Sequence, residues 1–358
     1  MPADEAFSEH VKAFYTLARL YTAFWGTALI LLGAMFAGEV FKKDYVKKEM
    51  VQILTALMFS FCYLFVQHLA YATPDITLTF FTVAIAFLSL RYLEYGKRKD
   101  IYIISVLTGI AISIKYPAAV ITLYIALIVI YKCVQSRRYL DIISVGLACS
   151  GIVMGTVFVI APNLFTDIWN MINVFKTEMR PAHLGADGLG FGGNLKYYFR
   201  EISMSLGYIS MAAFWAGLVH LMVSRRKEHL PLIVNGLFWV CLSAMALHWL
   251  RWGFPMYVAY ILISASGFSW IYRLAGGLVG RYTAMISAKA MVVFGAGAGC
   301  SILLSAVTIT VWSTKLDARV WALEWCAENG VTKNNSMYEG YTPFALNGGG
   351  NAFFVCAD

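Results

Sequence analysis

Residues 101–131 read IYIISVLTGIAISIKYPAAVITLYIALIVIY, two apolar runs joined by the turn Lys115-Tyr116-Pro117. Basic residues flank both outer ends of this stretch, at 97–99 and at 132–138. A helix over the 14 residues 101–114 rises about 21 Å, whereas the hydrocarbon core of a bilayer is about 30 Å thick. We therefore expect Lys115 to lie inside the protein near one membrane face. Pro117 breaks the helix there and frees backbone groups that need a polar cavity, and a lysine in such a cavity favours an anionic ligand.

The composition of the whole chain is that of a membrane protein. Of the 358 residues, 60% are hydrophobic and 13% are charged, against about 25% charged in soluble domains. This composition excludes disorder, collagen and coiled coils, and it argues against nucleic-acid binding in spite of the net charge of +8. The seven cysteines form no CxxC pair or Cys/His cluster, which argues against a metal finger or a thioredoxin-type site.

Apolar segments long enough for membrane helices recur along the chain, and they predict an all-α polytopic membrane protein with about ten transmembrane helices. The predicted spans are 14–38, 50–72, 76–94, 101–114, 117–131, 141–161, 207–224, 230–250, 254–272 and 290–312.

Lysine and arginine predict the threading, because basic loops are retained in the cytoplasm. The loops after the first, third, fifth, seventh and ninth helices hold 17 of the 28 basic residues. This alternation predicts a multi-pass protein of the cell membrane with both termini extracytoplasmic.

The predicted organisation has two parts. Residues 1–312 form the transmembrane domain with an extracytoplasmic loop at 162–206, and residues 313–358 begin a small extracytoplasmic domain. Within the loop, residues 165–179 are typical of an interfacial amphipathic helix, and the glycine-rich residues 185–193 predict flexible chain.

Three charged residues fall at the extracytoplasmic ends of predicted helices. Asp75 follows Thr73-Pro74, Lys115 lies in the turn described above, and Arg251 ends the eighth predicted helix. Two cations there suit a phosphate, and an acid suits a general base or a divalent-metal ligand, so metal dependence stays open. The alternatives are that Asp75 caps the following helix and that Arg251 is an interfacial arginine.

The histidines are weaker candidates. His68 lies about two turns before Asp75, where packing inside a helix is the simpler interpretation, and His183 lies in the outer loop, where a solvated side chain is equally compatible. We retain both as candidate donor or acceptor contacts.

The order of these motifs resembles the GT-C superfamily of integral-membrane glycosyltransferases, in the bacterial branch similar to protein O-mannosyltransferases and the aminoarabinose transferase of lipid A. No single motif is decisive, but together they span nearly the whole chain. The motifs are Ala18-Arg19-Leu20, Thr73-Pro74-Asp75, Gly109 to Tyr116, Ala182-His183-Leu184-Gly185, Leu250-Arg251-Trp252 with Pro255, Asp317-Ala318-Arg319, and Glu339-Gly340-Tyr341-Thr342-Pro343.

The resemblance implies transfer of a sugar from a polyprenyl-phosphate donor to an acceptor at the outer face of the cytoplasmic membrane. It implies that Asp75 is catalytic, that Lys115, Tyr116 and Arg251 hold the donor phosphate, and that Tyr341 contacts donor or acceptor. Family members carry their principal acid on an outer loop ahead of the Ala-Arg-Leu helix. Asp4-Glu5 imitates that acid but sits too close to Arg19, so we expect the catalytic loop to lie upstream of this chain and the C-terminal domain to be cut short.

Two other functional classes fit a polytopic protein with polar groups between its helices. A transporter or flippase of lipid-linked sugars is one, but such proteins show internal repeats and charges near the bilayer midplane, which this sequence lacks. A surface-polysaccharide polymerase or ligase is the other, and it would need a larger outer loop than 162–206. The sugar and the acceptor are not indicated by the sequence.

Overall fold

The fold was analysed in a computed structural model, which describes residues 11–44, 46–69, 73–178, 188–278, 325–326 and 328–330. Within these ranges the protein is all-α, and they contain no β-strand. The predicted tenth span at 290–312 and most of the predicted C-terminal domain lie outside the described residues.

The helices are numbered here in chain order. They are α1 (Val11–Val40), α2 (Lys48–Phe61), α3 (Tyr63–Leu69), α4 (Asp75–Tyr95), α5 (Arg98–Ile114), α6 (Val120–Gln135), α7 (Tyr139–Ile160), α8 (Asn163–Thr166), α9 (Ile168–Glu178), α10 (Gly190–Ser224), α11 (Ile233–Ser243) and α12 (Phe254–Leu278). Short 3₁₀ turns precede α6, α11 and α12, at Tyr116–Ala119, Lys227–Leu232 and Leu250–Gly253.

Six of these helical segments are long and apolar enough to cross a membrane, and a seventh is added if the bent pair α2–α3 counts as one span. The pair bends by 57° at Cys62, where the hydroxyl of Ser205 accepts a hydrogen bond from the Leu64 N–H at 3.2 Å. A multi-pass helical membrane protein is therefore confirmed. Nine spans were predicted over the same residues, and six or seven helical segments of the described chain have the length and apolarity of a span.

The difference in number has physical causes. Helix α5 has 17 residues, somewhat short for a span, and the predicted span 230–250 contains only the 11-residue helix α11 flanked by a 3₁₀ turn and non-helical chain. An apolar run predicts burial, but it does not distinguish a spanning helix from a shorter helix buried among others.

Helices occupy much of the outer loop predicted at 162–206. Residues 163–178 form α8 and α9, in agreement with the amphipathic helix predicted there. Helix α10, however, begins at Gly190 and continues through a kink at Gly207, where φ is 79°. The second half of the predicted loop is therefore helical, and the predicted span at 207–224 is the part of α10 beyond the kink.

Helices α10 and α12 pack closely through glycine. A Cβ atom placed on Gly267 would lie 1.9 Å from the carbonyl oxygen of Ala213, and one on Gly217 would lie 2.1 Å from that of Ile263. No side chain fits at either position, so the two backbones meet directly, as small residues allow in membrane helices. Helix α12 is thereby fixed in the protein interior, with nearly all residues from Phe254 to Phe268 buried.

Ion pairs connect the basic turns between helices at one side of the molecule, which we call the basic end. Asp44 lies 2.8 Å from Arg226 and 2.7 Å from His229, and Lys43 lies 2.6 Å from Glu228. The loops after α1 and α10 therefore lie on the same side, as the charge alternation predicts. At this end Arg98 also pairs with Asp141 at 3.0 Å across the α4–α5 and α6–α7 turns.

Candidate functional site

The site lies at the end of the helices opposite the basic end and begins with a buried ion pair. Asp75 is the first residue of α4 and is 2% exposed, and Pro74 occupies the N-cap position before it. The ammonium group of Lys115 donates a hydrogen bond of 2.5 Å to Oδ1 of Asp75. A negative side chain in the first turn of a helix is also favoured by the helix dipole.

The local sequence explains why Lys115 reaches Asp75. Helix α5 ends at Ile114, and Lys115 is extended, with φ −159° and ψ 126°, between α5 and the 3₁₀ turn that begins at Tyr116. The following 3₁₀ turn starts α6 in the opposite direction. Lys115, whose side chain is 17% exposed, therefore points its ammonium group at the neighbouring end of α4.

Arg251 approaches the same carboxylate from another element. Its Nε lies 3.9 Å from Oδ2 of Asp75, an ion-pair distance that is too long for a hydrogen bond. Neither atom has a hydrogen-bond partner among the described residues. The structure thus places one acid and two cations together, but it corrects the local prediction: Arg251 lies in the 3₁₀ turn that leads into α12 rather than at the end of a preceding helix.

Tryptophan rings surround the two cations. The ammonium nitrogen of Lys115 lies 5.6 Å from the ring centre of Trp252, and the guanidinium carbon of Arg251 lies 5.6 Å from that of Trp249. Such contacts stabilise a cation by about 0.5–2 kcal/mol, depending on how far it is desolvated. The two rings flank Arg251 in the sequence, as in an aromatic belt around an interfacial arginine, and this position was the available signal.

His68 lies close to this group. It is 8% exposed, its Nδ1 is 2.8 Å from the carbonyl oxygen of Leu64, and its ring packs edge-on against Phe254 at 4.8 Å. It also interacts electrostatically with Asp75 and Arg251. His68 is therefore a packed helix histidine that neighbours the charged cluster.

The other predicted site residues divide into two kinds. Tyr116 is half-buried at the start of the 3₁₀ turn directly after Lys115. His183 and Tyr341 lie outside the described residues, so their roles stay predictions. In the described part of the chain, no group of three or more His, Cys, Asp and Glu side chains could hold a metal ion.

Sequence reasoning missed a buried polar network beside the site. Asn194 and His248, which are 0% and 9% exposed, lie 3.0 Å apart through Oδ1 and Nδ1. Asn194 directly follows the glycine-rich residues 185–193, which predicted only flexible chain, so no local signal identified it.

The fold and site define a class of protein: a helical membrane protein with a buried acid and two cations at one end of its spans. Residues 18–165 match the protein family described as dolichyl-phosphate-mannose-protein mannosyltransferase. The matched segment contains Asp75 and Lys115. The similarity to this mannosyltransferase family covers somewhat less than half of the chain, and over that segment the predicted resemblance is confirmed.

The other comparisons add little. No curated protein matched the chain. The fold is similar to the crystal structure of ArnT from Cupriavidus metallidurans in the apo state, with 15% sequence identity and a TM-score of 0.47. That match covers 72% of this chain and 47% of the ArnT chain, so the chain spans about half the length of this solved structure.

Proposed function

We propose that the protein transfers a sugar from a polyprenyl-phosphate donor to an acceptor at the outer face of the cytoplasmic membrane. The observation that carries the proposal is the meeting of Asp75, Lys115 and Arg251 at one end of the helices, two of them within the segment that matches the mannosyltransferase family. Charged groups at membrane depth are costly, and they are by default functional.

The two cations suit the phosphate of the donor. The ammonium group of Lys115 places a positive charge beside Asp75, and ammonium N–H groups donate to phosphate oxygens. Arg251 can grip a phosphate with two parallel hydrogen bonds, and its side chain is 43% exposed, which leaves it accessible. Both cations would stabilise the negative charge that grows on the carrier phosphate as the sugar leaves.

Asp75 is the group proposed to accept the proton of the acceptor. In a direct displacement, the acceptor oxygen forms a bond to the anomeric carbon while the bond from that carbon to the phosphate oxygen breaks. The acceptor proton passes to Oδ2 of Asp75, and the bonding electrons leave with the polyprenyl phosphate. Such a single displacement inverts the anomeric centre, and its transition state has oxocarbenium character.

The proposed threading puts this site outside. The basic end carries lysine and arginine from several helix–helix turns, and short basic loops are retained in the cytoplasm. The opposite end, with Asp75 and Lys115, then faces the extracytoplasmic leaflet, where lipid-linked sugar and acceptor would meet. Both termini of the chain are proposed to be extracytoplasmic on the same grounds.

The test measures sugar transfer by the complete protein after substitution of each group. Asp75→Asn, Lys115→Ala and Arg251→Ala should each abolish turnover while the protein still inserts in the membrane. Lys43→Ala is a matched control, because Lys43 also donates to a carboxylate, at 2.6 Å, but at the basic end. Turnover that is unchanged in all three site variants would refute the active-site assignment. Loss of turnover in Lys43→Ala as well would show that the site variants lose turnover through general destabilisation.

A further inference from the structure

A buried amide beside the site connects the start of α10 to the chain that carries Arg251. The side chain of Asn194 is fully buried, and its Nδ2 donates hydrogen bonds to the carbonyl oxygens of Ser243, at 3.2 Å, and Met245, at 3.0 Å. Its Oδ1 accepts a hydrogen bond of 3.0 Å from the N–H of Leu189. A primary amide has two N–H donors and one oxygen acceptor, so both donors are used on a single short segment.

The same amide oxygen lies 3.0 Å from Nδ1 of His248. Because an amide oxygen can only accept a hydrogen bond, Nδ1 of His248 carries a proton and donates a hydrogen bond to Oδ1 of Asn194. The imidazole ring also packs against Tyr197, with ring centres 4.0 Å apart. Asn194 therefore holds both ends of the stretch 243–248.

This stretch needs such support because it is not helical. Helix α11 ends at Ser243, and the next helical residue is Leu250, in the 3₁₀ turn before α12. Backbone carbonyl groups released from a helix inside a membrane protein need other donors, since lipid offers none. The amide of Asn194 supplies them for two residues, and Trp249 and Arg251 follow directly along the chain.

We infer that Asn194, acting with His248, is a positioning residue that fixes the stretch 243–248 so that Arg251 faces Asp75 and the donor phosphate. The inference deepens the proposed function and rests on the phosphate-binding role given there to Arg251. It assigns no contact with substrate to Asn194. Its effect on donor binding passes through Arg251.

A double-mutant cycle on carrier binding tests this pathway. The probe is polyprenyl phosphate titrated into the complete protein in lipid nanodiscs, so that affinity is measured even for variants without turnover. Asn194→Ala and Arg251→Ala should each weaken binding about tenfold or more, and the double variant should be no weaker than Arg251→Ala alone. Additive losses would refute the positioning role, because they would show that Asn194 acts independently of Arg251.

His248 provides a second arm in case Asn194→Ala fails to fold. His248→Asn keeps an N–H donor near the position of Nδ1, whereas His248→Phe keeps a ring against Tyr197 but offers no donor. Carrier affinity should be retained within about twofold in the first variant and fall about tenfold in the second. Equal affinity in both variants would refute the inference.

A matched control comes from the opposite end of the helices. Ser266 is fully buried and its Oγ lies 2.9 Å from Nδ1 of His220. Ser266→Ala removes a buried polar contact of similar kind and should leave carrier affinity unchanged. If Arg251→Ala itself leaves carrier binding intact, the phosphate role in the proposed function fails along with the inference. If Arg251→Ala weakens binding and the Asn194 variant does not, only the positioning role fails.

Discussion

The ammonium group of Lys115 lies 2.5 Å from the carboxylate of Asp75, although 40 residues separate them in the chain. Removing one partner of a buried ion pair costs about 3–5 kcal/mol, because the other charge is left uncompensated. Arg251, at 3.9 Å from the same carboxylate, moderates that cost and completes a cluster with a net charge of about +1 when the acid is ionised. A cluster with an excess cation at membrane depth favours an anionic ligand.

The planar guanidinium of Arg251 predicts that a lysine cannot replace it. Arg251→Lys keeps the charge but loses the paired N–H groups that fit a phosphate, so we expect kcat/KM for the lipid-linked donor to fall by about 10- to 100-fold. Steady-state kinetics with varied donor concentration measure this. Arg98→Lys is the control, because Arg98 pairs with Asp141 at 3.0 Å at the basic end. An Arg251→Lys enzyme with the parent kcat/KM would show that only the charge matters.

The sequence predicts that Asp75 and Lys115 lie close together, because local signals determine the position of each residue. Pro117 and the basic residues on both sides of 101–131 predict that α5 ends before Lys115 and that this end lies opposite the basic loops. Asp75 falls at the same end by the same alternation. Both residues therefore lie at helix ends on the same membrane face, which brings them near each other.

The support for Arg251 could not be predicted in the same way. Hydropathy treats 230–250 as one apolar run, whereas the structure stops α11 at Ser243 because tertiary hydrogen bonds from Asn194 satisfy the chain that follows. Those bonds join residues 49 and 51 positions apart. No local pattern in either segment encodes them, and the glycines before Asn194 suggested flexibility instead.

The ion pair between Lys43 and Glu228 predicts a pH-dependent contribution to stability at the basic end. Burial raises the pKa of Glu228, but the hydrogen bond from Lys43 and nearby lysine charges outweigh it, and the pKa is lowered from its usual 4.5. A lowered carboxyl pKa means that the pair stabilises the fold above about pH 4.5 and that this stabilisation is lost as the pH falls through the lower folded-state value.

Glu228→Gln should therefore lower the apparent Tm in detergent by about 2–4 °C at pH 7, which corresponds to about 1 kcal/mol. The difference from the parent protein should shrink as the pH falls below about 4.5. Melting curves over this pH range measure it, with the exposed Glu94→Gln as the control. A difference that does not vary with pH would show that the charge of Glu228 contributes nothing.

The contact between α10 and α12 predicts a steep cost for any side chain at Gly267. Because an added Cβ would lie 1.9 Å from the Ala213 carbonyl oxygen, Gly267→Ala must push the two helices apart, with an expected cost of about 1–3 kcal/mol. Thermal unfolding in detergent measures the loss. Gly151→Ala on α7 is matched to it, since an added Cβ there meets no atom within 4 Å. Equal Tm values for the two variants would mean that the helices are not packed this closely.

The separation of the charged site from the basic end predicts which parts of the protein a reagent outside the cell can reach. Ser136 is exposed in the turn between α6 and α7 at the basic end, and Thr166 is exposed at the end of α8 on the other side. With the threading proposed here, Thr166→Cys should react with a membrane-impermeant maleimide on intact cells. Ser136→Cys should react only after permeabilisation, because short basic loops are held in the cytoplasm.

The parent protein is the background control, since its described cysteines are buried or partly buried. We expect labelling of Thr166→Cys to exceed that background several-fold in intact cells, while Ser136→Cys stays at background. The reverse pattern would place Asp75 and Lys115 on the cytoplasmic side. The donor would then have to be used before its translocation, and the proposed transfer at the outer face would be wrong even if the site binds a lipid phosphate.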